Sequence, residues 1–194
     1  MPQQIKNTAY AGGFSNPPVV SAQAFRAAMT AMARPGRIED INGATPPGGI
    51  SVAAGSLLLT LCDPETDVYL APDVDSEVLR GWLAFHTGAP IVAAEQADFA
   101  LGSWAALTPL DRFRIGTPEY PDRSATLIVE VPGFGAPNAV LSGPGIKDAA
   151  KMALPDLAAF QNNTLLYPLG VDFFFTCGTQ VAALPRSTQI SAEA

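Results

Sequence analysis

SATLIVEV, residues 124–131, is a run rich in β-branched residues. Such residues fit the pleated surface of a sheet, so the run predicts a strand. The chain enters it from a polar loop, GTPEYPDR at residues 116–123, in which two prolines frame several hydrogen-bonding side chains. The other elements can be placed outward from this strand in both directions.

Helices and strands alternate on the N-terminal side of this strand. Residues 51–62 are small and apolar without strict alternation, and their composition and length favour a buried helix. We predict a strand at 67–70, a capped helix at 76–86 and another strand at 90–94. This alternation is typical of an α/β protein.

A further helix is predicted near the N-terminus. Phe25, Met29 and Met32 recur at a spacing that puts them on one helical face. Ser21 is the expected N-cap of this helix. Pro35 and the glycine after it are expected to end it.

The C-terminal third contains three more strand signals, at residues 139–142, 171–177 and 181–184. Between them, residues 147–162 have a helical composition that Pro155 interrupts, and this proline is expected to start a second helix. Three consecutive aromatic residues in the strand at 171–177 predict that both of its faces are buried, one of them by a partner.

Together these elements predict one α/β domain over residues 1–194, built as a layered sheet flanked by helices. No internal repeat or linker divides the chain. Residues 1–12 and 189–194 are expected to be flexible tails.

The composition limits the partners of the chain. There are 11 Lys and Arg residues against 18 Asp and Glu residues, so the net charge is −7 and the chain repels nucleic-acid phosphates. Only 15% of the residues are charged, which favours an apolar surface that meets a protein partner. Because no membrane span or signal peptide is recognisable, we expect a cytoplasmic protein.

Most signatures of catalytic and metal sites are missing from the sequence. The two cysteines, Cys62 and Cys177, lie far apart in apolar runs, and there is one histidine, so no zinc or iron–sulfur spacing occurs. The motifs of nucleotide-binding loops and of hydrolase nucleophiles do not occur either. We therefore expect neither a metal nor a cofactor.

Three arginines bracket the predicted N-terminal helix. Arg26, Arg34 and Arg37 carry planar guanidinium groups, which suit phosphate or phosphonate oxygens. Arg26 and Arg34 are therefore candidates for binding phosphate or substrate. The alternative is that they hold a loop or an internal carboxylate of the chain itself.

The catalytic candidates are His86 and the polar loop at 116–123. His86 could serve as an acid or a base near neutral pH, or it could stabilise the end of its helix. Glu119 and Arg123 lie in the loop, in the kind of position where sites are built. Solubility alone would also account for polar residues there.

Seven short motifs, in order, give a resemblance to one family over residues 13–188. Each is a turn joined to a helix or strand, and together they closely resemble the phosphonate-metabolism protein PhnH family, which supplies the H subunit of the bacterial carbon–phosphorus lyase core complex. The motifs are FRAAMTAMARPG, LCDPET, FHTGAP, GTPEYPDRSATLIVEV, LSGPGI, YPLGVDFFFTC and ALPRST.

This resemblance implies a homodimer whose fold is like the large domain of pyridoxal-phosphate-dependent transferases, without the cofactor. The sequence agrees with that implication, because its three lysines, Lys6, Lys147 and Lys151, have no recognisable cofactor setting.

The resemblance also implies a role and a set of partners. The chain would join the G, I and J subunits and work with an ATP-binding L subunit. It would support the formation of α-D-ribose 1-methylphosphonate 5-triphosphate from ATP and a phosphonate, with release of adenine, and would be inactive alone. Two alternatives stay open: an autonomous small-molecule enzyme that uses His86 with Glu119 or Asp122, and a scaffold with no residue near the substrate.

Overall fold

The computed structural model describes residues 11–193. Within that range the helices are α1 (Pro17–Ala33), α2 (Val52–Leu61), α3 (Glu77–His86), α4 (Trp104–Leu107) and α5 (Leu157–Thr164). The strands are β1 (Glu39–Asp40), β2 (Val68–Leu70), β3 (Phe99–Ser103), β4 (Thr126–Glu130), β5 (Ala139–Ser142), β6 (Ala150–Met152), β7 (Asp172–Cys177), β8 (Gln180–Leu184) and β9 (Gln189–Ala192).

The main sheet has six strands in the order β1-β8-β7-β4-β3-β2. The four strands β2, β3, β4 and β7 run parallel, β8 pairs antiparallel with β7, and the short β1 pairs antiparallel with β8. A second, antiparallel sheet has the order β6-β5-β9. The prediction of a sheet flanked by helices is therefore confirmed, with a small second sheet added to it.

Both faces of the main sheet are buried. On one face, Ile128 and Phe174 belong to a core that also contains the buried residues of α1, α2 and α3. On the other face, Leu127, Phe173 and Phe175 pack with α5 and the small sheet. The prediction that both faces of β7 are buried is confirmed, but this chain covers both of them, so the partner expected on one face is not needed there.

Helix α1 begins earlier than predicted. It starts at Pro17, with Asn16 as N-cap, and Ser21 lies inside it. Prolines are tolerated in the first turn because the N–H groups there have no intrahelical acceptor. The helix ends at Ala33, before Pro35, as expected.

Four predicted elements in the first half of the sheet layer are confirmed within two residues: α2, α3, β2 and β4. The expected strand at 90–94 is wrong, because only Ile91 forms an isolated bridge, to Val68. The strand that pairs along β2 is β3, at Phe99–Ser103, which was not predicted. Its small residues explain the omission: a Cβ at Gly102 would lie 2.4 Å from the Ala71 Cβ.

The helix expected at 147–162 is half wrong. Ala150–Met152 is the strand β6, because Met152 pairs with Ala139 in the ladder with β5. Helix α5 begins only at Leu157, where the Asp156 side chain accepts a hydrogen bond from the Ala159 amide as N-cap. Pro155 thus precedes the helix instead of starting it.

The tail expected at 189–194 is wrong for residues 189–192, which form β9 and pair with β5. At the other end, residues 1–10 lie outside the described residues. Ala11 and Gly12 are held by hydrogen bonds, since their carbonyls accept from Trp82 Nε1 at 3.0 Å and from the Thr45 amide at 2.8 Å.

Asn163 joins the end of α5 to the start of β7, and its contacts generate a stability prediction. Its amide group donates to the Val171 carbonyl and accepts from the Val171 N–H, both at 2.9 Å, and the residue is buried. Asn163→Ala leaves both backbone groups unsatisfied and is expected to lower the free energy of unfolding by about 2–4 kcal/mol. Urea unfolding measures this change.

The neighbouring Asn162 gives a matched control, because it has the same side chain but is exposed. Asn162→Ala is expected to change the free energy of unfolding by less than about 0.5 kcal/mol. Equal effects of the two substitutions would refute the role assigned to Asn163.

Candidate functional site

The outward side of α1 forms an open groove with the segment that follows it. The buried side of the helix consists of Ala24, Ala28 and Ala31, which pack toward α2 and β8. Residues on the other side line a groove of about 1040 Å³. Its lining includes Val19, Arg26, Met29, Arg34, Arg37 and Glu39. The structure therefore brings the two predicted phosphate-binding candidates, Arg26 and Arg34, to one surface.

The charges in this groove are only partly neutralised. Arg37 forms an ion pair with Glu39. Within residues 11–193, neither Arg26 nor Arg34 forms an ion pair or a side-chain hydrogen bond, so the alternative that they hold an internal carboxylate finds no partner there. Two guanidinium groups are thus available to an anionic group from outside the chain.

His86 lies at the end of α3 and packs on the N-terminal segment. Its Nε2 is 3.3 Å from the Ala11 carbonyl oxygen, and its ring lies 5.2 Å from the Trp82 ring. A Cβ at Gly13 would lie 2.6 Å from the imidazole, so that glycine is required for this close approach. Among the residues from 11 to 193, no hydrogen bond or ion pair joins His86 to Glu119 or Arg123.

The loop at 116–123 is ordered by its own contacts. The Thr117 and Tyr120 backbones exchange two hydrogen bonds of 3.1 Å, and the Arg123 guanidinium lies 4.1 Å from the centre of the Tyr120 ring. Glu119 is exposed and points to no described cation. The loop is a defined structure, but no described contact joins its charged side chains to His86.

Arg186 holds this loop in place, and the sequence did not predict this role. Its guanidinium forms a bidentate pair with Asp172 at the start of β7 and donates to the Pro121 carbonyl at 2.7 Å. The pair is largely buried, and the Arg186 amide also donates to Asp172. The signal available in the sequence was an aspartate that opens an apolar strand, VDFFFTC, with an arginine in the following ALPRST motif.

A second constellation lies at the carboxyl edge of the parallel strands, where ligand sites of open α/β sheets usually form. Ser103, Glu130 and Thr176 are aligned neighbours on β3, β4 and β7. Glu130 accepts a hydrogen bond of 2.7 Å from the Ser51 amide at the start of α2. Asp73 accepts one of 2.9 Å from the Ser103 amide. The sequence signal was an acidic residue that ends an apolar strand.

The environment of Glu130 changes its ionisation. Burial raises the pKa of this carboxyl above its usual value, and the negative charge of Asp73 acts in the same direction. The Ser51 amide and the Thr176 hydroxyl partly oppose the shift because they bond the charged form. A partly buried carboxyl with a raised pKa at this edge of the sheet is a candidate functional group.

The cysteines and acidic residues give no further site. Burial, with Asp63 and Asp98 nearby, raises the pKa of the Cys62 thiol to about 12, so it is not a thiolate at neutral pH. In the part of the chain described, no group of three or more His, Cys, Asp and Glu residues is placed to hold a metal ion. No helix between residues 11 and 193 has the length and apolarity needed to cross a membrane.

Comparison with known families decides the affiliation. A family model described as bacterial phosphonate metabolism protein (PhnH) matches residues 12–191. The chain belongs to the PhnH family. The resemblance predicted from the seven motifs is thereby confirmed over nearly the whole chain.

Two relatives of this PhnH-family chain have curated names. One is the alpha-D-ribose 1-methylphosphonate 5-triphosphate synthase subunit PhnH of Rhizobium meliloti (strain 1021), 38% identical over 95% of this chain and 96% of the relative. The other is the putative C-P lyase subunit protein HtxG of Stutzerimonas stutzeri, 30% identical over 87% of this chain and 84% of that relative. Both names describe a subunit of a larger enzyme.

Glu130 generates a prediction on the pH dependence of stability. Because its pKa is raised, the folded chain holds this proton more tightly than the unfolded chain, whose carboxyl titrates near 4.5. The free energy of unfolding therefore falls as the pH rises from that value through the raised folded pKa. Glu130→Gln keeps an acceptor for the Ser51 amide but removes the titration, so its stability relative to the wild type should increase with pH over this interval.

Urea unfolding of both proteins between pH 4 and pH 8 measures the difference. Glu119→Gln, which makes the same chemical change in the exposed loop, is the matched control. A difference between Glu130→Gln and the wild type that stays constant over the whole range would contradict the assignment.

Proposed function

We propose that this chain is a partner-dependent subunit of a carbon–phosphorus lyase complex, as expected from the motifs. It supports the formation of α-D-ribose 1-methylphosphonate 5-triphosphate from ATP and a phosphonate, with release of adenine. The observation that carries the proposal is the 38% identity with a named subunit of that synthase over 95% of one chain and 96% of the other.

The geometry supports a subunit better than a complete enzyme. His86 packs on the N-terminal segment, whereas Glu119 and Arg123 lie in a loop with its own contacts, and no described contact joins them to His86. The exposed large apolar side chains include two groups, one along α1 with Val19 and Met29 and one at residues 165–167. Such patches are typical of surfaces that meet other proteins.

The partners proposed are a second copy of the chain, the G, I and J subunits and the ATP-binding L subunit, in the cytoplasm. Among the site residues, Arg26 and Arg34 have the strongest support as anion-binding groups, since they share one groove and form no ion pair with any residue from 11 to 193. His86, Glu119 and Arg123 are candidates for contacts that only an assembled complex would complete.

We further propose that the fold is like the large domain of pyridoxal-phosphate-dependent transferases, without the cofactor. The mostly parallel sheet with helices on both faces supports the likeness. Lys147 is exposed, and Lys151 pairs with Glu193 on the surface, so neither lies in an enclosed setting for a Schiff base. Lys6, the remaining lysine, is outside the described residues.

Co-purification tests the proposal. The tagged chain is expressed with the other proteins of a phosphonate operon, and the eluted assembly is weighed by native mass spectrometry. A stoichiometric complex with the G, I and J subunits is expected, and it should release adenine from ATP and methylphosphonate when the L subunit is added. The purified chain alone should release none.

Co-expression of the same operon without this chain is the control, and its product should lack the adenine-releasing activity. Elution of the tagged chain as a lone dimer, with all partners present in the lysate, would refute the proposal. Adenine release by the isolated chain would refute it equally, because it would show a complete enzyme.

A further inference from the structure

Helix α1 exposes most of its large apolar residues and buries small ones. The residues that it buries are alanines, exposed by 0 to 2% of their surface. Met32 packs partly against the core, but three other large apolar residues, Val19, Phe25 and Met29, are exposed by about half, and Ile38 just after the helix by 44%. A surface helix normally places its large apolar residues toward the core. The pattern therefore indicates a second surface that covers the outer side of α1.

The charge on this outer face indicates what that second surface carries. Arg26 and Arg34 stand eight residues apart, about 12 Å along a helix. Neither has an ion pair within residues 11–193, although the whole chain has a net charge of −7. Two unpaired cations beside exposed apolar side chains complement carboxylates that flank apolar residues at a similar spacing.

We propose that the outer face of α1 binds an acidic segment with an apolar side, contributed by another subunit of the complex. Carboxylates of that segment pair with Arg26 and Arg34, and its apolar side chains cover Val19 and Met29. The proposal rests on the proposed function, because the occupant is a different subunit of the same assembly.

Other occupants fit the face less well. A second copy related by a two-fold axis would bring the same cationic patch against itself, and Glu39, the acidic residue of the groove, is already paired with Arg37. A free phosphate group would satisfy the arginines but leave Val19 and Met29 exposed. A polypeptide segment alone neutralises the charges and covers the apolar residues together.

Charge reversal tests this assignment in the co-expressed complex. Arg26→Glu combined with Arg34→Glu is expected to weaken incorporation of the tagged chain at least about tenfold, since like charges would then face each other across the contact. Lys147→Glu is the control, because it reverses an exposed lysine elsewhere on the surface, one that forms no ion pair within the described part of the chain, and it should leave incorporation unchanged. Native mass spectrometry of the eluted assembly gives the fraction incorporated.

A second variant, Met29→Asp, tests the apolar part of the contact without altering either arginine and should also reduce incorporation. Circular dichroism and thermal unfolding confirm that each variant is folded, which is expected because all three positions are on the surface. If the charge-reversed chain joins the complex as well as the wild type, the assignment is wrong while the proposed function stands. If the wild type itself joins no partner, the proposed function has failed first.

Two further results would overturn the assignment in favour of another occupant. The first is a dimer of the isolated wild type that dissociates in the charge-reversed variant, which would show a second copy on this face. The second is binding of inorganic tripolyphosphate by the isolated wild type, lost in the charge-reversed variant, which would show a small anion there. Incorporation that weakens with rising salt for the wild type, but not for the variant, would support the carboxylate pairing.

Discussion

The register between β4 and β7 is the constraint on which the rest of the chain depends. Leu127, Ile128 and Val129 pair with Phe173, Phe174 and Phe175, and all six are buried. Because apolar residues occupy both faces, hydrophobicity alone does not distinguish this register from one shifted by a residue. Polar residues at the two ends of the pair do distinguish it.

At one end, the Asp172 carboxylate pairs with the Arg186 guanidinium, which also donates a hydrogen bond to the loop before β4. At the other end, the Glu130 carboxylate accepts a hydrogen bond from the Ser51 amide at the start of α2. A shift by one residue would leave the partly buried carboxyls of Asp172 and Glu130 without these partners, and an unsatisfied polar group costs up to about 1–3 kcal/mol when it is buried. The two polar contacts therefore place the loop at 116–123 and the N-terminus of α2 on opposite edges of the same sheet.

This arrangement explains what could be predicted from the sequence. Strands made of β-branched or aromatic residues and helices with a serine N-cap, such as Ser51 and Ser76, carry local signals, and they were found. β3 was missed because its small residues are selected by the close approach of β2, as Gly102 against Ala71 shows. Asn138 likewise holds Leu154 through two hydrogen bonds, and this contact between distant residues favours β6 over the predicted helix.

The candidate site residues also divide into those with a local sequence signal and those defined by contacts between distant positions. Arg26 on α1 and Arg34 at its C-cap could be named as candidates because they are close in the chain, and the structure places both in one groove. Glu130 contacts Ser51, 79 residues away, and Arg186 contacts Pro121, 65 residues away. No local pattern contains such pairs, so their roles appear only once the sheet brings them together.

The same packing decides where a partner can bind. The consecutive aromatics of β7 predicted that a partner buries one face of the strand, but α5 and the small sheet cover one face and α1 to α3 cover the other. With the sheet enclosed, apolar surface remains available on the outer layer. Helix α1 supplies part of it, because its alanines let the helix approach the core closely while Val19 and Met29 face outward. A subunit built this way can present a partner surface without exposing its core, since the residues that stabilise the fold and those that face outward lie on opposite sides of one helix.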